Sequence, residues 1–181
     1  KRVLDIYKDL LPKISQTEQE AIDAGNVWWD AELFTGNPNW EVLRSNPKAE
    51  LPAEEQAFID GPVNELCEMI DEWRVSHKDY DLPQEVYDFV KEKGFFSFII
   101  PKEYGGLEFS PLGLIYVMAK IGSRSGTLAS MVGVPNSLGP AELLMHYGTD
   151  EQKKELLPKL ASGEHVPCFA LTGPYAGSDA T

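Results

Sequence analysis

The sequence is poor in the residues that support covalent or metal chemistry. It has two cysteines, Cys67 and Cys168, and three scattered histidines, His77, His146 and His165. No Cys-x-x-Cys pair occurs and no Cys/His spacing suits zinc, so no metal site is expected. Unpaired thiols point to a reducing, cytoplasmic setting. Basic residues are also scarce, with 16 Lys and Arg against 29 Asp and Glu and a net charge of −13. That balance excludes sequence-independent nucleic-acid binding, which needs clustered cations to neutralise phosphates. It also argues against docking on anionic lipid heads. Long hydrophobic runs are absent: the longest uncharged stretch, Ser125 to Ala141, is interrupted by Gly126, Gly133, Pro135, Gly139 and Pro140. It falls short of the roughly 20 apolar residues of a membrane span. No signal-peptide pattern is present.

What remains is a globular balance. Apolar residues make up 43% and charged residues 25% of 181, enough to bury a core without disulfides. The pattern is mostly helical. Ser15 and Glu18 form a capping-box pair ahead of Ala21, Ile22, Trp28, Trp29, Leu33 and Phe34, which predicts one helix that Gly36-Asn37-Pro38-Asn39 stops. Residues 35–51 read as an extended connector pinned by Trp40 and Leu43. Pro52, Glu54 and Glu55 open a longer helix. Its stripe Ile59, Val63, Leu66, Ile70 and Trp73 steps by 4, 3, 4 and 3, with a kink or delayed start at Gly61-Pro62.

Pro83 opens a helix carrying Val86, Tyr87, Phe89 and Val90, and Gly94 ends it. Phe95 to Ile100 reads as a short apolar extended piece and Pro101 to Leu107 as a turn. Ser110-Pro111 is a helix start, with Leu114, Ile115, Met118 and Ile121 as the buried face. The small residues of 123–134 suit close backbone packing or contact with a ligand. A helix near 137–147 ends at Gly148, and Thr149 with Gln152 caps another that carries Leu156, Leu157 and Leu160 and ends at Gly163. Val166 to Leu171 then reads as a strand and Pro174 to Asp179 as a tight loop.

Candidate chemistry is sparse. None of the histidines has a Ser, Cys or carboxylate partner at triad spacing, so each reads as a surface or packed residue. The carboxylate pairs Glu54-Glu55, Glu18 and Glu20, and Asp71-Glu72 read as solvated helix faces. Trp28-Trp29 reads as core or as an interface anchor. The segment Thr172 to Asp179 follows a strand and offers successive backbone N–H groups, small residues and hydroxyls. Such a loop is either a plain turn or a nest for an anionic oxygen.

Phe169-Ala-Leu-Thr-Gly-Pro-Tyr-Ala-Gly-Ser-Asp179 resembles the flavin-binding signature of acyl-CoA dehydrogenases. Three further segments are similar to that family in the same order: Pro101-Lys-Glu-Tyr-Gly-Gly106, Val134-Pro-Asn-Ser-Leu-Gly139, and Tyr147-Gly-Thr-Asp-Glu-Gln-Lys153 continued through Leu157-Pro-Lys-Leu-Ala-Ser-Gly-Glu164. The stretch Ala24 to Phe34 resembles the N-terminal segment of enlarged bacterial members of fatty-acid β-oxidation.

The resemblance implies an all-α fold of the acyl-CoA dehydrogenase N-terminal type, ending in the first strand of a β domain that lies outside this chain. It divides the chain into an N-terminal extension (1–50), a helical domain (51–165) and the start of the β domain (166–181). It implies FAD as cofactor and oxidation of a fatty acyl-CoA to a trans-2-enoyl-CoA. Phe169, Leu171 and Thr172 would lie along the isoalloxazine ring, with Thr172 bonded to its polar edge. Gly177 and Ser178 would meet the pyrophosphate region, and Ser178 would also face the acyl-CoA substrate. The catalytic Glu would lie outside this chain, so no catalytic residue is assigned and the chain alone is expected to be inactive.

Electron-transfer flavoprotein as acceptor, a homo-oligomer when full length, and peripheral association with the inner membrane face are further implications. Gly173 and Tyr175 depart from the usual signature, standing where many members carry Glu or Ser and a small residue or Glu. Two alternatives stay open: a non-catalytic helical interaction module, and a flavoenzyme of the same fold with a different reaction.

Overall fold

The computed structural model describes residues 15–25, 28–137 and 139–168, together with Tyr7, Ala170 and residues 172–174. The chain divides into two compact units, Lys1–Lys48 and Ala49–Thr181.

In the first unit, helix α1 spans Gln16–Ala24 and a 3-10 helix spans Trp29–Thr35. The single helix expected from Ser15 to Phe34 is therefore two elements, the first ending at Ala24 ahead of the poor helix former Gly25. The left-handed Gly36, φ 76°, closes the second. The expected extended connector instead contains α2, Trp40–Arg44, because Asn39 caps it by accepting from the Glu41 N–H. Trp29 is buried, donates its indole N–H to the Asn39 carbonyl at 2.8 Å, and packs on Trp40 with ring centroids 4.9 Å apart. Trp28, Leu33 and Phe34 are exposed, so one Trp of the pair is core and the other is not.

The second unit begins with α3, Ala53–Asp60, and α4, Pro62–Glu68, broken at Gly61 as the Gly-Pro pair dictates. A short α5, Glu72–Arg74, runs into a π-helical turn, Val75–Asp79. Ile59, Val63, Leu66 and Ile70 are all buried, but Trp73 is exposed. The break at 69–71 interrupts the helix and takes position 73 out of the stripe. Helix α6, Gln84–Glu92, ends at Gly94, φ +78°.

Helix α7, Pro111–Arg124, starts on the Ser110 cap, whose hydroxyl accepts from the Gly113 N–H. Its buried face is Gly113, Val117 and Ile121, with Leu114 and Met118 beside it, whereas Ile115 is exposed. Helix α8, Gly126–Gly133, packs on α7. Its small residues allow the close approach: a side chain at Gly133 would meet the Met118 methyl at 3.0 Å. Helices α9, Pro140–Tyr147, and α10, Asp150–Ala161, follow. Thr149 and Gln152 form the reciprocal capping box that opens α10.

One core joins Ile59, Val63, Leu66 and Ile70 with Val86, Val90, Phe95, Phe98, Val117, Ile121, Leu128 and Val132. A second joins Ile100, Ala141, Leu157, Leu160 and Ala161. The cations of α7 tie its neighbours down. Lys120 Nζ donates to the Ile59 carbonyl at 2.7 Å, and the Arg124 guanidinium donates to the Cys67 and Ile70 carbonyls. Each neutralises carbonyls near the end of a broken helix.

Among the described residues there is no strand, and the unit is all-α. Residues 166–168 and 170 are irregular where the pattern predicts a strand, and among the described residues no neighbouring strand pairs with them. The remainder of the expected strand, Phe169 and Leu171, lies outside the described residues. No helix of the described residues is long and apolar enough to cross a membrane.

Candidate functional site

Three of the four segments that carry the family resemblance build the scaffold around Phe95 to Phe109. Phe95, Phe96, Phe98 and Ile100 are fully buried, but the segment is a chain of turns and not an extended piece. The Phe95, Ser97 and Ile100 N–H groups bond to the Val90, Gly94 and Ser97 carbonyls. The following loop folds back on it: Leu107, Glu108 and Phe109 donate to the carbonyls of Ser97, Ile100 and Phe98. Gly105, at φ +84°, makes the reversal possible, and Gly106 lies so close to the Ile100 carbonyl that a side chain has no room. The Pro101 to Gly106 segment is therefore a folding device.

Asn136 serves the same end in the second segment. It is buried, and its amide accepts from the Phe98 N–H at 2.8 Å and donates to the Phe95 and Val132 carbonyls at 2.7 and 2.8 Å. It thus ties the end of α8 to the aromatic turn. The third segment supplies the α10 capping box. Glu55, expected on a solvated face, is instead buried. It accepts from the Ser110 N–H at 2.6 Å and the Ser110 hydroxyl at 2.7 Å. Its neighbour Glu54 pairs with Lys102 at 2.7 Å, so α3 clamps both ends of the 102–110 loop. The sequence marks Glu55 as part of a helix start and Asn136 as part of a family segment, but neither mark announces that the side chain is buried.

An apolar cleft of about 370 Å³ is lined by Pro140, Leu144, Leu156, Leu160, His165, Val166 and Pro167. It lies between α9, α10 and the segment that leads to the fourth motif. Of the five residues expected at the flavin, only Thr172 is among those described; Phe169, Leu171, Gly177 and Ser178 lie outside them. Thr172, Gly173 and Pro174 are exposed, and nothing lies within 4 Å of where a side chain at Gly173 would stand. The Thr172 hydroxyl is of a type that can bond the polar edge of a planar cofactor, and among the described residues nothing covers it. Among the described residues no group of three or more His, Cys, Asp or Glu is placed to hold a metal.

Titratable groups elsewhere act structurally. Ser125 and then Ser76 hold the Glu72 carboxyl below the usual range. Burial pushes the Cys67 thiol up, against the opposing charges of Lys120 and Arg124.

The sequence model of the acyl-CoA dehydrogenase N-terminal domain matches residues 53–164. The chain is 39% identical over 123 residues to a 3-(aryl)acrylate reductase of Clostridium sporogenes, covering 68% of this chain and 31% of that protein. It is 32% identical over 151 residues to a probable acyl-CoA dehydrogenase of Mycobacterium tuberculosis, covering 82% and 23%. The solved structure of a glutaryl-coenzyme A dehydrogenase in complex with glutaryl-CoA superimposes with a TM-score of 0.58 at 30% identity, covering 74% of this chain and 35% of that one. The chain thus spans less than a third of the length of these curated relatives. With its helical unit matched across its length, the chain belongs to the acyl-CoA dehydrogenase family, whose members are FAD-dependent oxidoreductases, and it carries that family's N-terminal helical domain.

Proposed function

We propose that this chain is the N-terminal part of an FAD-dependent enzyme that oxidises a fatty acyl-CoA to the trans-2-enoyl-CoA. The observation that carries the reading is continuity. The matched helical domain ends at residue 164, and the next residues line an apolar cleft and run into the exposed Thr172 loop. In this reading the bound flavin supplies the hydride acceptor for the β-carbon of the thioester. Thr172 donates its hydroxyl to the ring's polar edge, and Phe169 and Leu171 lie along the ring. Gly177 and Ser178 present backbone and hydroxyl to the pyrophosphate region, and Ser178 also faces the substrate. The base that takes the α-proton comes from outside these residues. Electron-transfer flavoprotein is the proposed acceptor and a homo-oligomer the proposed assembly.

A second reading, reduction of an enoyl or arylacrylyl thioester, is favoured by the 39% identity to the arylacrylate reductase. One experiment separates the two. The full-length protein is purified, its flavin absorbance recorded, and bleaching by acyl-CoAs of graded length measured beside reoxidation of the reduced protein by enoyl-CoAs. Bleaching by saturated acyl-CoA supports oxidation. Reoxidation without bleaching supports the reductive reading, and a colourless protein refutes both.

A further inference from the structure

The negative charge of the molecule is concentrated. Residues 50–92 hold 13 acidic and 3 basic residues, a net of −10 out of the total −13. Residues 93–168 hold seven of each sign and are neutral. In the acidic stretch an aromatic face is left in solvent. Trp73 is 65% exposed and Tyr80, in a left-handed conformation at φ 55°, is 80% exposed. The His77 ring stacks on Trp73 with centroids 3.9 Å apart and planes 14° from parallel. Trp73 lies in α5, His77 in the π turn, and Tyr80 closes that turn. The acids Asp71, Glu72, Asp79 and Asp81 flank them in the chain. Of the two local cations, Arg74 is already engaged by Asp79 at 2.6 Å. Neither the core nor the candidate flavin loop uses this face.

We propose that the exposed, stacked Trp73–His77 pair docks a basic segment of a partner protein, with an Arg or Lys side chain seated over the indole in the negative field of residues 50–92. Charge selects this occupant. A second copy would bring a patch of the same strong sign, and like charges brought together oppose association. An anionic lipid surface or nucleic acid is repelled in the same way. A cationic group over an indole or phenol ring gains from the ring quadrupole and from the surrounding field together.

The test is titration of the protein, labelled with nitrogen-15 at its indoles, with an oligoarginine peptide, and with oligoglutamate as control. The Trp73 resonance is identified by its loss in Trp73→Ala. The arginine peptide should move that resonance, and the effect should weaken as salt rises. Trp73→Ala should lower affinity about twofold to fivefold, the range of an exposed ring–cation contact. Equal binding of the arginine peptide to Trp73→Ala and to the parent protein would overturn the proposal, as would a shift produced equally by oligoglutamate. So would a Trp73 shift that grows with protein concentration alone, which would assign the face to a second copy.

Discussion

The Glu55 carboxylate fills the space that a side chain at position 113 would need, and from there it holds the Ser110 N–H and hydroxyl. Two helices distant in sequence, α3 and α7, are joined where a glycine makes room for an acid. Gly113→Ala should therefore displace the carboxylate and destabilise the unit by about 1–3 kcal/mol, although alanine is the better helix former. Glu55→Ala should cost a similar amount by leaving the Ser110 N–H without its partner, about 1–3 kcal/mol. In the double variant the penalties should fall well short of additive, because either change alone already breaks the contact. Urea unfolding of the three variants checks this; full additivity would mean that the two residues are energetically independent.

Asn136 makes three buried hydrogen bonds to two separate segments. Its replacement by Ala should cost about 2 kcal/mol or more, since it strands a buried N–H and two carbonyls. Ser137→Ala, beside it and exposed, should stay within about 0.5 kcal/mol. Thermal melts of the pair decide, and equal losses would deny the amide its special place.

Glu72 titrates below the ordinary carboxylate range in the folded protein, chiefly through Ser125 and then Ser76. A depressed folded value stabilises the fold above the unfolded value, and that contribution is lost as pH falls through the folded one. Glu72→Gln should thus be less stable than the parent at neutral pH, and the two melting curves should converge as pH drops below about 4. Glu151, at the start of α10, is lowered in the same direction by its own backbone N–H and by Thr149, so the difference between variants is the informative quantity. A gap that stays constant down to low pH would remove Glu72 from the acid limb.

In the full-length protein, cofactor retention and folding should come apart. Leu66 is completely buried, and Leu66→Ala should cost about 2–5 kcal/mol of fold stability. Thr172 is exposed, so Thr172→Ala should leave melting of the helical domain unchanged while weakening flavin binding by about 1–3 kcal/mol. Flavin content per chain and helical melting are measured on both variants and on Ser178→Ala. Unchanged flavin content and turnover in Thr172→Ala and Ser178→Ala would reduce the loop to a turn.

Helix punctuation was legible because capping is local. Ser110-Pro111, the Thr149–Gln152 box, Gly94 and Gly163 all mark ends where the pattern places them. The Ile59 to Ile70 stripe survived the break at Gly61, because α3 and α4 still face one core. Periodicity fails across the helix break at 69–71, beyond which Trp73 is exposed, and at Ile115, which lies beside the buried face of α7. Phe95 to Ile100 looked extended because composition cannot separate a buried strand from buried turns. The burial of Glu55 and Asn136 is not legible for a shared reason: their partners lie 55 and 38 residues away in the chain, and a polar letter alone does not announce burial. The candidate site was legible only through family resemblance, since its loop has the composition of any turn.

The glycines at 105 and 106, the amide at 136 and the box at 149–152 are all committed to holding the backbone. A descendant that abandoned its flavin would lose nothing from these positions as long as it had to stay folded. Its sequence would still advertise the ancestry through them, long after the chemistry had gone. Recognition through such positions reports lineage and architecture before it reports chemistry.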